Sequence, residues 1–184
     1  VLELAEKWNY KPNPISLSLK QSQSMFIGVI VPEFVNSFFS EVIMGIQSVL
    51  NPEGYHVLIM QSNESHENEL RNMKALEAQM VDGFLISVTQ ESENTSYFSD
   101  LIWNNFPVVF FNRICAELSA PHVVIDDYKW AFAAVEHLIQ QGCRRIVHLA
   151  GSEDLLIAQK RKNGYMDALR KYGLLVEESL IIDC

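Results

Sequence analysis

The 184-residue chain has few cysteines and no long apolar run. Its three cysteines, Cys115, Cys143 and Cys184, are odd in number and far apart, which excludes a secreted disulfide framework and gives no metal-ligand spacing. No apolar segment approaches the roughly 18 residues that a membrane span needs, and no basic stretch precedes an apolar core near residue 1. We therefore expect a cytoplasmic globular protein that does not enter a membrane.

Basic residues are also scarce, and they are unevenly distributed. The chain holds 14 Lys and Arg against 23 Asp and Glu, for a net charge of −9, which by itself argues against nucleic acid as the main partner. Residues 1–24, however, carry three basic and two acidic side chains, whereas the remainder carries 11 basic and 21 acidic ones. The first two dozen residues therefore differ chemically from the rest of the chain.

The first 24 residues divide into three short segments. Residues 1–9 place apolar side chains three apart on one helical face, without a capping residue before them. Pro12 and Pro14 end that helix because proline disfavours helix in the residue before it. Pro14 can in turn open a short helix over residues 15–20, and a polar linker follows at residues 21–24.

After residue 24, short apolar segments alternate with amphipathic helical ones. The first segment, residues 25–31, is continuously apolar and ends at Pro32, as is typical of a strand buried on both faces. We predict strands at 25–31, 57–60, 83–88, 108–111, 123–125, 146–150 and 180–183, and helices at 39–50, 67–80, 97–104, 130–141 and 157–172. This alternation predicts an α/β fold with a doubly wound parallel sheet, whose ligands bind beyond the carboxyl ends of the strands.

Sequence signatures of enzymes are absent. No glycine-rich dinucleotide or phosphate loop follows a strand, and no nucleophile elbow occurs. The five histidines lack the spacing of a zinc site, and the adjacent Asp126 and Asp127 are better suited to capping a helix than to acid–base catalysis. We expect no catalytic residue, no metal and no cofactor.

The predicted strand ends carry polar and aromatic side chains that could bind a small molecule. Phe38 and Phe39 lie in an aromatic cluster after the first strand, where they could stack on a sugar ring or a base. Phe39 could equally be a core residue at the top of the following helix. Arg161, early in the last long helix, could bind a ligand or be a solvated charge.

Motifs along the chain occur in one characteristic order. They are YKPN at residues 10–13, FIGVIVP with NSFF at 26–39, VDGFLI at 81–86, VIDDY with EHLI at 124–139, and GCRRI with RKNGY at 142–165. Together they resemble the motifs of the lac-repressor/galactose-repressor family of bacterial transcription regulators, over nearly the whole chain.

The resemblance implies a domain organisation. Residues 1–13 would be the end of a helix-turn-helix headpiece, and residues 14–24 a hinge helix and linker. Residues 25–126 would form the first subdomain of a periplasmic-binding-protein-like type I effector domain, and residues 127–184 the start of the second. The chain would then be a fragment of a longer protein.

The resemblance also implies a function: a repressor, active as a homodimer, that binds operator DNA under the control of a small-molecule effector, most commonly a carbohydrate in this family. Carried over by motif, the effector contacts are Phe38, Phe39, Ser87, Asn112 and Arg161. The hinge contacts to DNA are Asn13, Ser16, Leu19 and Lys20.

Four positions depart from the family's pattern. Asn112 stands where many members have aspartate, and Trp130 replaces a frequent glycine. Ser16 and Leu17 occupy the place of an alanine–arginine pair, so a phosphate contact to DNA is lost.

The sequence also bears on two other functions. A periplasmic-type sugar-binding receptor shares the fold, but it has no need of a headpiece and hinge, which residues 1–24 resemble. An NAD-dependent oxidoreductase would need a glycine fingerprint after Val31, where Pro32, Glu33 and Phe34 stand instead.

Overall fold

The computed structural model describes residue 4 and residues 7–9, 23–35, 37–90 and 94–183. Leu4 and Lys7 are helical, and the Trp8 amide donates a hydrogen bond to the Leu4 carbonyl at 3.0 Å, as the predicted N-terminal helix requires. The predicted hinge and all four of its candidate DNA contacts lie outside the described residues. They are Asn13, Ser16, Leu19 and Lys20.

A five-stranded parallel sheet forms the larger part of the structure. Its strands are β1 (Phe26–Val31), β2 (His56–Gln61), β3 (Gly83–Ile86), β4 (Val108–Phe111) and β5 (His122–Val123), in the order β2-β1-β3-β4-β5. Every neighbouring pair is parallel. From β1 the chain first adds β2 on one side, and then crosses back to add β3, β4 and β5 on the other side. The direction of strand addition therefore reverses between β1 and β3. This confirms the doubly wound fold.

Three helices connect these strands: α1 (Ser37–Leu50), α2 (His66–Ala78) and α3 (Thr95–Trp103). Helix α2 begins at a serine N-cap, where the Ser65 hydroxyl accepts a hydrogen bond from the Asn68 amide at 3.3 Å. These helices cover the sheet because parallel strands joined by crossovers are buried on both faces.

A second, smaller unit follows. Helices α4 (Asp127–Gln140) and α5 (Leu156–Lys171) pack against each other and against the parallel pair β6 (His148–Ala150) and β7 (Ile181–Asp183). A short 3₁₀ turn, Glu178–Leu180, leads into β7. This unit has its own apolar cluster, in which Tyr165 is fully buried and donates a hydrogen bond to the Ile146 carbonyl at 2.8 Å.

Strand β1 lies at the centre of the core and is buried on both faces, as its apolar run predicts. Val29 and Val31 pack with Phe39, Ile43 and Phe111 on one side. Ile30 points to the other side, into a cluster that includes Met73, Leu76, Phe84, Phe98 and Phe110. Successive side chains of β1 therefore point alternately into the two apolar clusters on opposite faces of the sheet.

The strand ends differ from the prediction by one residue at β1, β2 and β7, and by two residues at three other strands. β3 ends at Ile86 rather than Val88, β6 begins at His148 rather than Ile146, and β5 covers His122–Val123 instead of residues 123–125. β5 is an edge strand that pairs only with Phe110 and Phe111, so the ladder ends before Val124 and Ile125, which are exposed. In the described part of the chain, no helix is long and apolar enough to cross a membrane.

Candidate functional site

A cavity of about 380 Å³ lies beyond the carboxyl ends of β3, β4 and β5. One wall is formed by residues 88–90 and 112–117, which follow β3 and β4. The opposite wall is formed by residues at the start of α4 and by residues 154–160 at the start of α5. The cavity therefore sits at the strand ends where ligands bind in parallel α/β sheets, between the two units of the structure.

Asn112 is the predicted effector contact that lines this cavity directly. Its backbone is left-handed, with a φ of 57°, a conformation that asparagine adopts more readily than most residues. Its amide donates to the Val123 carbonyl at 3.0 Å, which ties the end of β4 to β5. Ser87 lies one residue before the cavity wall, is fully buried, and has no hydrogen-bond partner for its hydroxyl among the described residues.

Phe38 and Phe39 lie at the carboxyl end of β1, away from the cavity lining. Phe39 is buried in the core with its ring centroid 6.4 Å from that of Phe111, which fits the core role left open by the sequence. Phe38 packs edge-on against Phe39 at 5.2 Å and is partly exposed. None of the side chains that line the cavity in the described structure is aromatic, so stacking on a ligand ring is not available there.

Arg161 reaches the edge of the cavity through Asp127. Its Nε donates to Asp127 Oδ1 at 2.6 Å; the carboxylate is 5% exposed, whereas the arginine side chain is 48% exposed. Asp127 lines the cavity and Arg161 does not. The effector role of Arg161 therefore stays a prediction, and its observed contact is an ion pair between α4 and α5.

Two glutamates that sequence reasoning missed hold the wall after β3. Glu69, fully buried on α2, accepts hydrogen bonds from the Thr89 amide at 2.8 Å and the Asn94 side chain at 3.0 Å. Glu64 accepts from the next amide, that of Gln90, at 2.9 Å. In the sequence, Glu64 and Glu69 lie near the start of a helix, where acidic residues are expected to stabilise the helix end. The sequence pattern therefore did not indicate their contacts to the cavity wall.

Glu64 also holds Arg113, the arginine of the cavity wall. Arg113 Nη1 lies 2.7 and 2.9 Å from the two Glu64 carboxylate oxygens. Asn63 and Glu64 both have a φ of 54°, and two successive non-glycine residues in this region are uncommon. This strained turn after β2 directs the Glu64 carboxylate toward the strand ends of β3 and β4.

The cavity lining carries three carboxylates, Glu117, Asp127 and Asp154, and two cations, Arg113 and Lys160. Burial raises the pKa of the Cys115 thiol in the same wall to about 11, with smaller contributions from Glu69 and Glu117. Cys115 is therefore a protonated, unreactive thiol at neutral pH. The arrangement offers hydrogen-bonding groups for reversible binding of a polar small molecule.

Comparison with known proteins places the chain in a family. Residues 24–184 match the model described as periplasmic binding proteins and sugar binding domain of LacI family. The chain belongs to this family. The match includes every strand described above, so the fold is that of this family.

Among the relatives of this LacI-family chain is the HTH-type transcriptional repressor CytR of Escherichia coli (strain K12). It is 33% identical over 181 residues, which cover 98% of this chain and 52% of CytR. The chain thus spans about half the length of the curated relatives it matches.

Solved structures of LacI-family regulators have the same fold as this chain. A candidate ribose operon repressor from Burkholderia thailandensis superposes with a TM-score of 0.81 at 28% identity, covering 88% of this chain and 61% of that one. A sugar-binding LacI-family regulator from Escherichia coli, in complex with phosphate, gives 0.71 at 25% identity, covering 88% and 58%. The relatives are regulators of transcription rather than enzymes.

Proposed function

We propose that this chain belongs to a cytoplasmic transcription repressor of the lac-repressor type, which binds operator DNA under the control of a small-molecule effector. The observation that carries the proposal is the cavity of about 380 Å³ between the two units, in a chain whose relatives are named as transcriptional repressors. A sugar or sugar derivative is the proposed effector, because the matched family model and a structural neighbour are described as sugar-binding.

In this proposal the effector binds between the ends of β3 and β4 and the start of α5. Asn112 contacts it from the wall, and Ser87 lies behind that wall. Arg161 contacts the effector beside Asp127, on the side of the second unit. Phe38 and Phe39 act from the end of β1, Phe38 through its exposed ring and Phe39 by supporting Phe38 from the core.

Effector binding controls DNA binding by linkage. A ligand held by both units favours the relative orientation that best completes its contacts, and it can shift operator affinity only by its differential affinity for the two orientations. The hinge carries that change to the DNA through Asn13, Ser16, Leu19 and Lys20.

A homodimer is the proposed assembly, and an apolar surface supports it. Met44 and Val49 on α1 are 64% and 68% exposed, and Phe34 and Val35 lie exposed just before that helix. We propose that these exposed apolar side chains contribute to the interface between the two copies.

The test is a gel shift with the complete natural protein and genomic DNA fragments selected for binding to it. We expect sequence-specific binding whose affinity changes at least about fivefold with one sugar or sugar derivative, the lower range of allosteric coupling. The same ligand must bind the protein in calorimetry.

The alternative is a sugar-binding receptor, which the same family description includes. Tight sugar binding by the complete protein, with no specific DNA fragment recovered, would establish the receptor and refute the repressor.

A further inference from the structure

Arg113 is a cationic residue of the cavity wall whose charge is already neutralised within the protein. Its side chain is 15% exposed, and its Nη1 lies 2.7 Å from the nearer oxygen of the Glu64 carboxylate. Glu64 is itself only 33% exposed, so water screens this pair less than it would a surface ion pair. A ligand that enters the cavity therefore meets an ion pair and not a free guanidinium.

The position of Glu64 is held independently of Arg113. The Gln90 amide donates to Glu64 Oε2 at 2.9 Å. The left-handed backbone of Asn63 and Glu64, with a φ of 54° at each, turns the chain sharply after β2. Strained conformations of this kind persist where surrounding contacts hold them, so the carboxylate is in place before a ligand binds.

The other charged groups of the cavity are mainly acidic. Glu117 and Asp154 are exposed carboxylates of its lining, and Asp127 already pairs with Arg161 at 2.6 Å. Lys160 is the cation of the lining that forms no ion pair with a described residue. A phosphate dianion would meet one unpaired cation and two carboxylates, Glu117 and Asp154, that form no ion pair with a described residue. Hydroxyl groups, in contrast, can donate to those carboxylates and accept from the side-chain amides of Asn112 and Gln90.

We propose that Glu64 makes this cavity selective for uncharged, polyhydroxylated ligands over their phosphorylated forms, by neutralising Arg113. Recognition of a phosphoryl group favours an arginine whose N–H groups are free for two parallel hydrogen bonds, and Glu64 already takes Nη1 of this one. The inference deepens the proposed function and rests on it, since it names the class of effector that the cavity takes.

The experiment compares matched pairs of ligands on the complete protein. The probes are free pentoses, hexoses and nucleosides, each beside its monophosphate, screened by thermal shift and then measured by calorimetry. In the wild type we expect an uncharged probe to bind at least about tenfold more tightly than its monophosphate. In Glu64→Gln that ratio should fall at least about tenfold, because the monophosphate gains a charged hydrogen bond to Arg113.

Glu67→Gln is the matched control. Glu67 lies on α2 three residues along the chain, is exposed, and does not line the cavity, so the variant makes the same change in net charge without freeing Arg113. Its ligand ratio should stay within about twofold of the wild type. The double variant Glu64→Gln/Arg113→Gln removes both charges and should restore the preference for the uncharged probe, which a general loss of folding would not do.

The possible outcomes distinguish failure of this inference from failure of the proposed function. Preferential binding of a monophosphate by the wild type, or an unchanged ratio in Glu64→Gln, overturns the inference and leaves the proposed function intact. If no probe of either class binds, effector control itself is refuted, and the inference with it.

Discussion

Asp126 and Asp127, adjacent at the start of α4, have different partners because successive side chains on a helix point in different directions. Asp126 Oδ1 accepts a hydrogen bond from the Lys129 amide at 3.0 Å, so Asp126 is the N-cap that the sequence predicted. Asp127 is buried in the first turn and pairs with Arg161. Its charge is also favoured by the positive end of the helix dipole.

We predict that Arg161→Ala in the complete protein lowers both effector affinity and the free energy of unfolding. Effector affinity should fall by at least about 1.5–3 kcal/mol, the range for a charged hydrogen bond. The free energy of unfolding should also fall, by about 1–3 kcal/mol, because a carboxylate that is 5% exposed loses its partner; the loss stays below the range for fully buried pairs since Arg161 is half exposed. Calorimetry and urea denaturation measure the two effects.

The double variant Arg161→Ala/Asp127→Asn separates them. Without a buried charge at position 127, stability should return toward the wild type while effector affinity stays low. Recovery of both quantities would show that Arg161 supports the fold and does not bind the effector.

At the scale of elements, helices α4 and α5 approach so closely that only glycine fits at position 164. A Cβ atom added there would lie 2.4 Å from the Tyr128 carbonyl oxygen and 3.0 Å from the Phe132 amide nitrogen. Both obstacles are backbone atoms, so relief requires the helices to separate.

We therefore predict that Gly164→Ala destabilises the protein by about 1–3 kcal/mol, the usual cost of overpacking, even though alanine is the better helix former. Gly151→Ala is the control, because its Cβ would meet Ala158 at an ordinary 3.5 Å. Urea denaturation should show a change within about 0.5 kcal/mol for the control. Equal stability of the two variants would contradict the close packing of α4 and α5.

The predicted hinge is a further element, and it lies outside the described residues. Because peptides below about 12 residues are marginal helices in water, we expect residues 14–19 to become helical only when two copies pair on DNA. Leu19→Ala should then weaken operator binding, since apolar side chains that wedge a base step act in this way. The test measures operator affinity by gel shift, effector affinity by calorimetry, and the melting temperature, all on the same variant. Lower stability with unchanged operator affinity would show that Leu19 merely packs on the domain.

At the scale of the whole molecule, the exposed apolar residues of α1 bear on assembly. We predict that Met44→Asp converts the proposed dimer of the complete protein to monomers, because a charge placed in an apolar interface loses its hydration. Sedimentation velocity measures the change. Trp103→Asp is the control. Trp103 is the last residue of α3 and is 86% exposed, and its substitution should leave the dimer intact. A dimer that survives Met44→Asp places the interface elsewhere.

The parallel α/β architecture could be read from the sequence because it depends on local composition. The apolar run of β1, the i, i+3, i+4 pattern of α1 and the turn residues between them all act over a few residues, and each favours the same element type. Strand ends were less predictable, as at β5, because the last paired residue depends on the neighbouring strand and not on the apolarity of Val124 and Ile125.

The fold class, the family, and the edge of the sheet where the cavity lies all follow from periodicity and motif order along the chain. Long-range packing alone places Arg113 beside Glu64 and Asp127 beside Arg161 at that cavity, and buries Phe39 in the core. Glu64 and Arg113 are 49 residues apart in the chain. Such pairings depend on how the helices that connect the strands are placed and on the backbone conformation of the turns. The pattern of hydrophobic residues does not specify either of these.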